Sequence, residues 1–183
     1  MRGKKMKALH LAGAVLGLVV PSVAFAHGPT RQATTQSVEI NAPAAKVWSV
    51  ISNFQNTDWC EGVAKTTGTG GNEPNNATRV VTLKSGATIT QDLTHYEPKK
   101  MSYSYFTDKI DVKVLPVNDY SGTITVKPES GNKSKVVWEA AFYRGYMLND
   151  PPPALNDAAS LKAVNVYLRT NLDALKKKIE GTH

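Results

Sequence analysis

The sequence predicts an α+β domain in which short helices and one long C-terminal helix pack across an antiparallel sheet of about seven strands. Short segments that alternate apolar with polar residues are separated by turn-forming residues, which is typical of strands joined as hairpins. Near the start, within "SVEINAPAAKVWSVI", the alternation changes abruptly to helical spacing. Near the end, a long segment carries one apolar stripe at helical spacing.

The first strand and the first helix are predicted to follow each other almost without a loop. Residues 34–41 alternate, and residues 43–54 carry apolar side chains at helical spacing. Asn41 is predicted to cap this helix, and Pro43 suits its first turn. A second short helix is predicted directly afterwards, so a helical pair separates the first strand from the others.

Six further strands are predicted from alternation and from turn signals such as "KSGA" and "EPKK". Because these connections are too short for crossover helices, the sheet should be antiparallel. The predicted strands cover residues 62–69, 78–83, 88–96, 101–107, 121–128 and 135–143.

The long C-terminal helix is predicted over residues 156–180. Asn156 stands where a helix cap is expected. The apolar stripe recurs at intervals of 3, 4, 4, 3 and 4, so the helix must lie on the apolar face of the sheet. The stripe consists of Leu161, Val164, Leu168, Leu172, Leu175 and Ile179.

Residues 1–26 have the pattern of a secretory signal peptide, with a basic head, a short apolar stretch and a small-x-small ending. We expect cleavage before His27, export to the periplasm and no membrane attachment afterwards. A flexible arm at 27–33 and a single domain at 34–183 are expected to follow. Without the leader, 18 basic residues face 15 acidic ones, and the net charge falls from +7 to +3. This scattered charge does not favour nucleic-acid binding.

The segment "INAPAAKVWSVISNFQNTDW", followed by a meander and a long terminal helix, resembles the START/Bet v 1-like (SRPBCC) superfamily, including its polyketide cyclase/dehydrase-like members. The resemblance covers nearly all of the chain after the leader. It implies a helix-grip fold with a curved sheet. The segments "SGATITQDLTHYEPKKMSYSYFTD", "LPVNDYSGTITVKP" and "FYRGYMLNDPPPALNDAA" are also similar to the periplasmic MxaD-like proteins associated with methanol oxidation.

In this superfamily the space between the sheet and the long helix is commonly a ligand cavity, so the resemblance implies one here. The alternative is that the inward-facing side chains simply fill a core. For one strand, alternation leaves open whether Ile89, Gln91 and Leu93 or their neighbours face inward. The residues predicted to line the cavity are Trp59, Cys60, Val81, Leu83, Ile89, Gln91, Leu93, Tyr103, Tyr105, Trp138, Phe142, Leu161, Val164 and Leu168.

No phosphate loop, nucleophile elbow, H-E-x-x-H or paired-cysteine motif is present, so no catalytic residue, cofactor or metal is assigned. His95 could act as a general base beside Asp92 or Glu97, but such a histidine more often lies on the exposed face of a strand. An amino-terminal His27 could chelate copper together with His95. Cys60 is the only cysteine, so it has no intramolecular disulfide partner, and we expect it to be buried.

The segment "YRGYMLNDPPPALNDAA" is the most unusual local feature of the sequence. A triple proline stiffens it, and rigid loops that carry aromatic and Met side chains lose little entropy on docking. The alternative is a connector that only orients the long helix. The residues predicted to bind a partner are Tyr146, Met147, Pro151, Pro152 and Pro153.

Two function classes therefore stay open. The first is an exported, noncatalytic accessory or binding protein. The MxaD-like resemblance implies that such a protein assists a periplasmic methanol dehydrogenase with its cytochrome c acceptor. The second is a protein that binds a small hydrophobic ligand, or a cyclase- or dehydratase-type enzyme acting on one, in the same cavity.

Overall fold

A computed structural model describes residues 28–181 of the chain. The predicted signal peptide, His27 and His183 lie outside the described residues. The strands of the described part of the chain are β1 (Gln32–Ile40), β2 (Val63–Thr69), β3 (Thr78–Leu83), β4 (Thr88–Glu97), β5 (Ser102–Ile110), β6 (Val117–Glu129) and β7 (Lys133–Arg144). They form one antiparallel sheet in the order β1-β7-β6-β5-β4-β3-β2, so the predicted fold class is confirmed.

The first strand lies at one edge of the sheet. It begins at Gln32, within the predicted arm. Arg31 donates a hydrogen bond from Nη2 to Ser121 Oγ at 3.0 Å, and its guanidinium lies 5.4 Å from the centre of the Tyr143 ring. The last residues of the predicted arm are therefore attached to the sheet.

Within residues 28–181, two α-helices accompany the sheet, α1 (Ala44–Ile51) and α2 (Asp157–Glu180). Single 3₁₀ turns occur at Pro98–Lys100 and Pro153–Leu155. At the start of α2, Asn156 Oδ1 accepts a hydrogen bond from the backbone N–H of Ala159 at 2.9 Å, which confirms the predicted cap. No helix in the described part of the chain is both long enough and apolar enough to cross a membrane.

The predicted Asn41 cap of α1 is wrong. Pro43 occupies the N-cap position, and no side chain caps the helix. The backbone N–H of Asn41 instead donates to Glu180 Oε1 at 2.8 Å. The start of α1 is thereby tied to the end of α2.

The second short helix is replaced by turns over residues 53–62. Asn53 Oδ1 accepts a hydrogen bond from the backbone N–H of Gln55 at 3.0 Å, and Asn56 Oδ1 accepts one from that of Asp58 at 2.8 Å. Such local side-chain bonds compete with helical hydrogen bonding, which explains the difference.

Helix α2 packs mainly across β1 and β7. Its predicted stripe faces inward: Val164, Leu168, Leu172, Leu175 and Ile179 are buried, and Leu161 is half-buried. Register shifts in the β4–β5 and β6–β7 pairs mark bulges, which increase local bending and twist. Trp48 of α1 packs against Tyr96 of β4 and Tyr103 of β5, with ring centres 5.8 and 6.3 Å apart, whereas α2 lies mainly over β1 and β7.

Candidate functional site

A cavity lies between α2 and strands β3, β4 and β5. It has a volume of about 370 Å³. Ligand pockets typically fall between about 300 and 1,000 Å³, so it has room for a small organic molecule. Its walls are Glu61, Gly62, Leu83, Lys84, Ser85, Ile89, Gln91, Thr107, Ile110, Val114, Leu115, Tyr120, Tyr167, Thr170 and Asn171.

The apolar and polar side chains of this cavity come from different elements. Ile89 and Ile110 extend from neighbouring strands, and Val114 and Leu115 extend from the turn that follows β5. Exposed Lys84 lies on the β3–β4 turn at the rim. The cavity is therefore lined mainly by apolar side chains and has polar groups at a few positions, which suits an amphipathic ligand.

A smaller inner pocket adjoins the cavity. Its volume is about 20 Å³, enough for roughly one water-sized group. It shares Leu83, Ile89 and Gln91 with the larger cavity. Its other walls include Thr57, Trp59, Cys60, Arg79, Val81 and Trp138.

Arg79 is the buried charge of this inner pocket, with 3% of its surface exposed. Its Nε donates to Gln91 Oε1 at 2.7 Å, and its Nη1 donates to the Phe54 carbonyl oxygen at 2.9 Å. The guanidinium carbon lies 4.1 Å from the centre of the Phe54 ring and 5.3 Å from that of Tyr105. The aromatic faces stabilise the cation, and the two hydrogen bonds fix its orientation.

Gln91 connects this cation to the larger cavity. Its Oε1 accepts from Arg79, and its Nε2 donates to Thr107 Oγ1 at 3.3 Å. All three residues are buried. The bulge between Thr90 and Gln91 lies at this position, where bulges commonly redirect side chains.

Tyrosines surround the same region. Trp138 Nε1 donates to the Tyr105 hydroxyl at 3.2 Å, and the Tyr105 and Tyr120 ring centres are 6.1 Å apart. Burial raises the pKa of both phenols, although the positive charge of Arg79 partly opposes the rise at Tyr105. Both hydroxyls therefore stay protonated near neutral pH and can take part in neutral hydrogen bonds.

Cys60 lies between the inner pocket and an open surface groove. Burial raises the pKa of its thiol from 9.0 to about 12; the charge of Arg79 lowers this pKa, and that of Asp58 raises it. The half-buried position agrees only partly with the expected burial.

We expect the Cys60 thiol to react slowly with iodoacetamide near neutral pH, because the thiolate is the reactive form. Between pH 9 and 12 the unfolded chain loses this proton while the folded chain retains it. The thiol's contribution to stability is therefore present below pH 9 and is lost as the pH rises toward 12. Labelling followed by mass spectrometry, with urea-unfolded protein as the control, checks the reactivity. Equal labelling rates for the native and the unfolded protein near neutral pH would contradict the expected slow reaction.

The predicted cavity residues occupy four environments. Leu83, Ile89 and Gln91 line both spaces, whereas Trp59, Cys60, Val81 and Trp138 line only the inner pocket of the two. Leu161 is half-buried. The others are packed in the core: Leu93, Tyr103, Tyr105, Phe142, Val164 and Leu168. Which of these residues contact a ligand stays a prediction.

The sequence reasoning missed Arg79 and the cavity walls outside the alternating strands. Arg79 stands two residues before Val81, so alternation places both on the inward face, and this signal could have identified it. Val114 and Leu115 lie in a turn, and Thr170 and Asn171 flank the helical stripe. No periodic signal identified those positions.

His95 is exposed on β4, the position expected of a histidine on the outer face of a strand and not of a general base in a cavity. Nearby Glu97 forms a 2.7 Å ion pair with Lys100. Within residues 28–181, no group of three or more His, Cys, Asp or Glu side chains is arranged to hold a metal ion.

The predicted partner-binding segment is held by its neighbour Arg144. This buried side chain donates to the carbonyl oxygens of Tyr146 at 2.8 Å and Leu148 at 3.0 Å, and it pairs with Asp157 at 3.3 Å. Met147 is 41% exposed and Leu148 is 68% exposed. Tyr146 and Pro151 are half-buried, and Pro152 and Pro153 are exposed.

Comparison with known families matches residues 31–180 to the family described as polyketide cyclase/dehydrase and lipid transport. The chain belongs to this family. No curated protein matches the chain significantly. The polyketide cyclase/dehydrase-like part of the predicted resemblance is thus confirmed.

Solved structures share this fold. An uncharacterised protein from Bacillus thuringiensis is 27% identical with a TM-score of 0.68, covering 81% of this chain and 99% of its own. The protein XoxI from Bacillus cereus is 25% identical with a TM-score of 0.68, covering 81% and 95%. The ZhuI aromatase/cyclase from a Streptomyces species is 17% identical with a TM-score of 0.64, covering 82% and 94%, so it supports the fold alone.

Proposed function

We propose that this member of the polyketide cyclase/dehydrase and lipid transport family binds a small, largely apolar molecule in the cavity of about 370 Å³. That cavity carries the proposal. Transfer of an apolar body from water into it gains about 25 cal/mol per Å² of apolar surface buried. Gln91, Thr107 and Tyr120 provide polar groups that can orient the ligand.

The family and the ZhuI likeness are also compatible with a cyclase-type reaction in this cavity. We favour binding because the buried polar groups around the two spaces are a cation, an amide, a hydroxyl and a protonated phenol, from Arg79, Gln91, Thr107 and Tyr120, while the Glu61 carboxylate is exposed. These groups hold and orient a ligand by hydrogen bonding, and no proton transfer needs to be assumed.

Replacing Val114 with Trp tests this function. The larger side chain adds bulk at the cavity wall, so we expect the wild-type protein to bind N-phenyl-1-naphthylamine and the variant to lose at least about tenfold in affinity, roughly 1.4 kcal/mol. Val166→Trp is the matched control, because Val166 is 58% exposed on α2. Fluorescence titration measures both. Equal loss in the control, or unchanged binding in Val114→Trp, would contradict cavity binding.

A second proposed function is partner binding through the loop at 145–156. Exposure of Met147 and Leu148 on a backbone held by Arg144 favours it. The exported accessory role implied by the MxaD-like resemblance would use this surface to contact a periplasmic methanol dehydrogenase or its cytochrome c.

The double substitution Met147→Ser and Leu148→Ser tests the accessory role. If these side chains are the anchors, partner affinity should fall by about 2 kcal/mol, roughly thirtyfold. A reconstituted dehydrogenase and cytochrome assay would measure the stimulation of electron transfer, with Val166→Ser as the surface control. Full stimulation by the double variant would argue against the loop, and loss with His95→Ala would favour an enzyme instead.

A further inference from the structure

The inner pocket combines features that the binding of a purely apolar molecule does not explain. Arg79 carries a positive charge with 3% exposure, and within residues 28–181 no carboxylate lies within 4.0 Å of it. Burying an uncompensated charge is costly, and the dipoles and rings around Arg79 compensate it only in part. A negative group in the pocket would complete the compensation.

A second, independent observation comes from Trp59. Its side chain is 2% exposed, and its buried Nε1 has no hydrogen-bond partner in the described part of the chain. Trp59 and Arg79 both line the inner pocket. An indole N–H can only donate, so both residues present donors and call for an acceptor.

The size and position of the inner pocket limit how large the acceptor group can be and where it lies in the ligand. A volume of about 20 Å³ accommodates roughly one oxygen-sized group. The pocket shares Leu83, Ile89 and Gln91 with the larger apolar cavity. A single molecule can therefore place an oxygen beside Arg79 and Trp59 while its apolar body occupies the larger space.

We propose that the ligand is an amphipathic monocarboxylate whose carboxylate is held by Arg79 and Trp59 and whose apolar body fills the larger cavity. This inference rests on the proposed ligand-binding function and specifies its chemical class. Two donated N–H groups of Arg79 are used by Gln91 and Phe54, and a guanidinium has five. Glu61, which lines both spaces, is exposed, so its charge can stay in solvent at the mouth.

The test compares decanoate with decan-1-ol, which share an apolar chain and differ in the charged head. Each is titrated at neutral pH against protein loaded with N-phenyl-1-naphthylamine. Hydrogen bonds to a charged group are stronger than those between neutral groups. We therefore expect decanoate to displace the probe at a concentration at least tenfold lower, roughly, than decan-1-ol. Trp59→Phe keeps an aromatic ring and removes the N–H donor. It should weaken the binding of decanoate about tenfold and change the binding of decan-1-ol by less than about twofold.

Two further variants locate the anion. Arg79→Met should abolish the preference for decanoate in the folded variant. If this variant does not fold, the comparison of the two compounds on the wild-type protein still tests the inference. Lys127→Gln removes an exposed charge on β6 that lines neither space, so it should keep the preference.

Equal displacement by both compounds, failure of decanoate to displace the probe, or loss of the preference in Lys127→Gln would overturn the inference and leave cavity binding intact. Failure of the probe itself to bind the wild-type protein would instead contradict the proposed function, and the inference would fall with it.

Discussion

Replacing Leu168 with Ala is expected to lower the free energy of unfolding by about 2 to 5 kcal/mol. Leu168 is fully buried at the middle of α2, where it belongs to the core shared with the sheet. Truncation removes apolar contacts and leaves a cavity that rigid neighbours fill only partly. Urea unfolding monitored by circular dichroism would measure the loss.

Val166→Ala is the matched control for this substitution. Val166 lies two residues away on the same helix and is 58% exposed, so its truncation should change stability by no more than about 0.5 kcal/mol. Similar losses at both positions would contradict the packing of α2 on the sheet.

Replacing Gly122 with Ala is expected to cost about 1 to 3 kcal/mol, because the added methyl group overpacks the core. Gly122 lies on β6 opposite Tyr105 on β5. An added Cβ would lie 2.5 Å from the Tyr105 Cζ and hydroxyl oxygen. Tyr103 and Arg79 crowd the other sides of this ring, so it has little room to move.

Gly28→Ala provides the control, because no atom lies within 4 Å of an added Cβ there. Thermal unfolding compares the two variants. Adding Tyr105→Leu to Gly122→Ala should relieve the clash, so the double variant should lose less stability than the two single losses combined. Strict additivity would show that the ring is not the cause.

The sheet and α2 could be predicted from sequence because their side chains repeat with regular periods. Leu168 and Leu172 follow the helical stripe, and both are fully buried. The segment at 53–62 lacked such a signal, since Asn53 and Asn56 stabilise turns through their own side chains. Periodicity therefore predicted the regular elements better than the turns.

The cavity was less predictable than the core. Alternation places Leu93 and Tyr103 on the inward face, but both are packed in the core. The open space depends on where α2 crosses the sheet and on the turn that supplies Val114 and Leu115. These are tertiary relationships that no local pattern encodes.

An NMR titration tests the central claim of cavity binding most directly. Isotope-labelled protein is titrated with N-phenyl-1-naphthylamine, and amide shifts are followed in two-dimensional proton–nitrogen spectra. We expect the largest changes at Ile89, Thr107 and Thr170 and in the side-chain amide of Gln91, because these residues line the cavity. Ser49 on the exposed side of α1 should not respond. Changes confined to residues 146–150, or no change at saturating probe, would contradict ligand binding in the cavity.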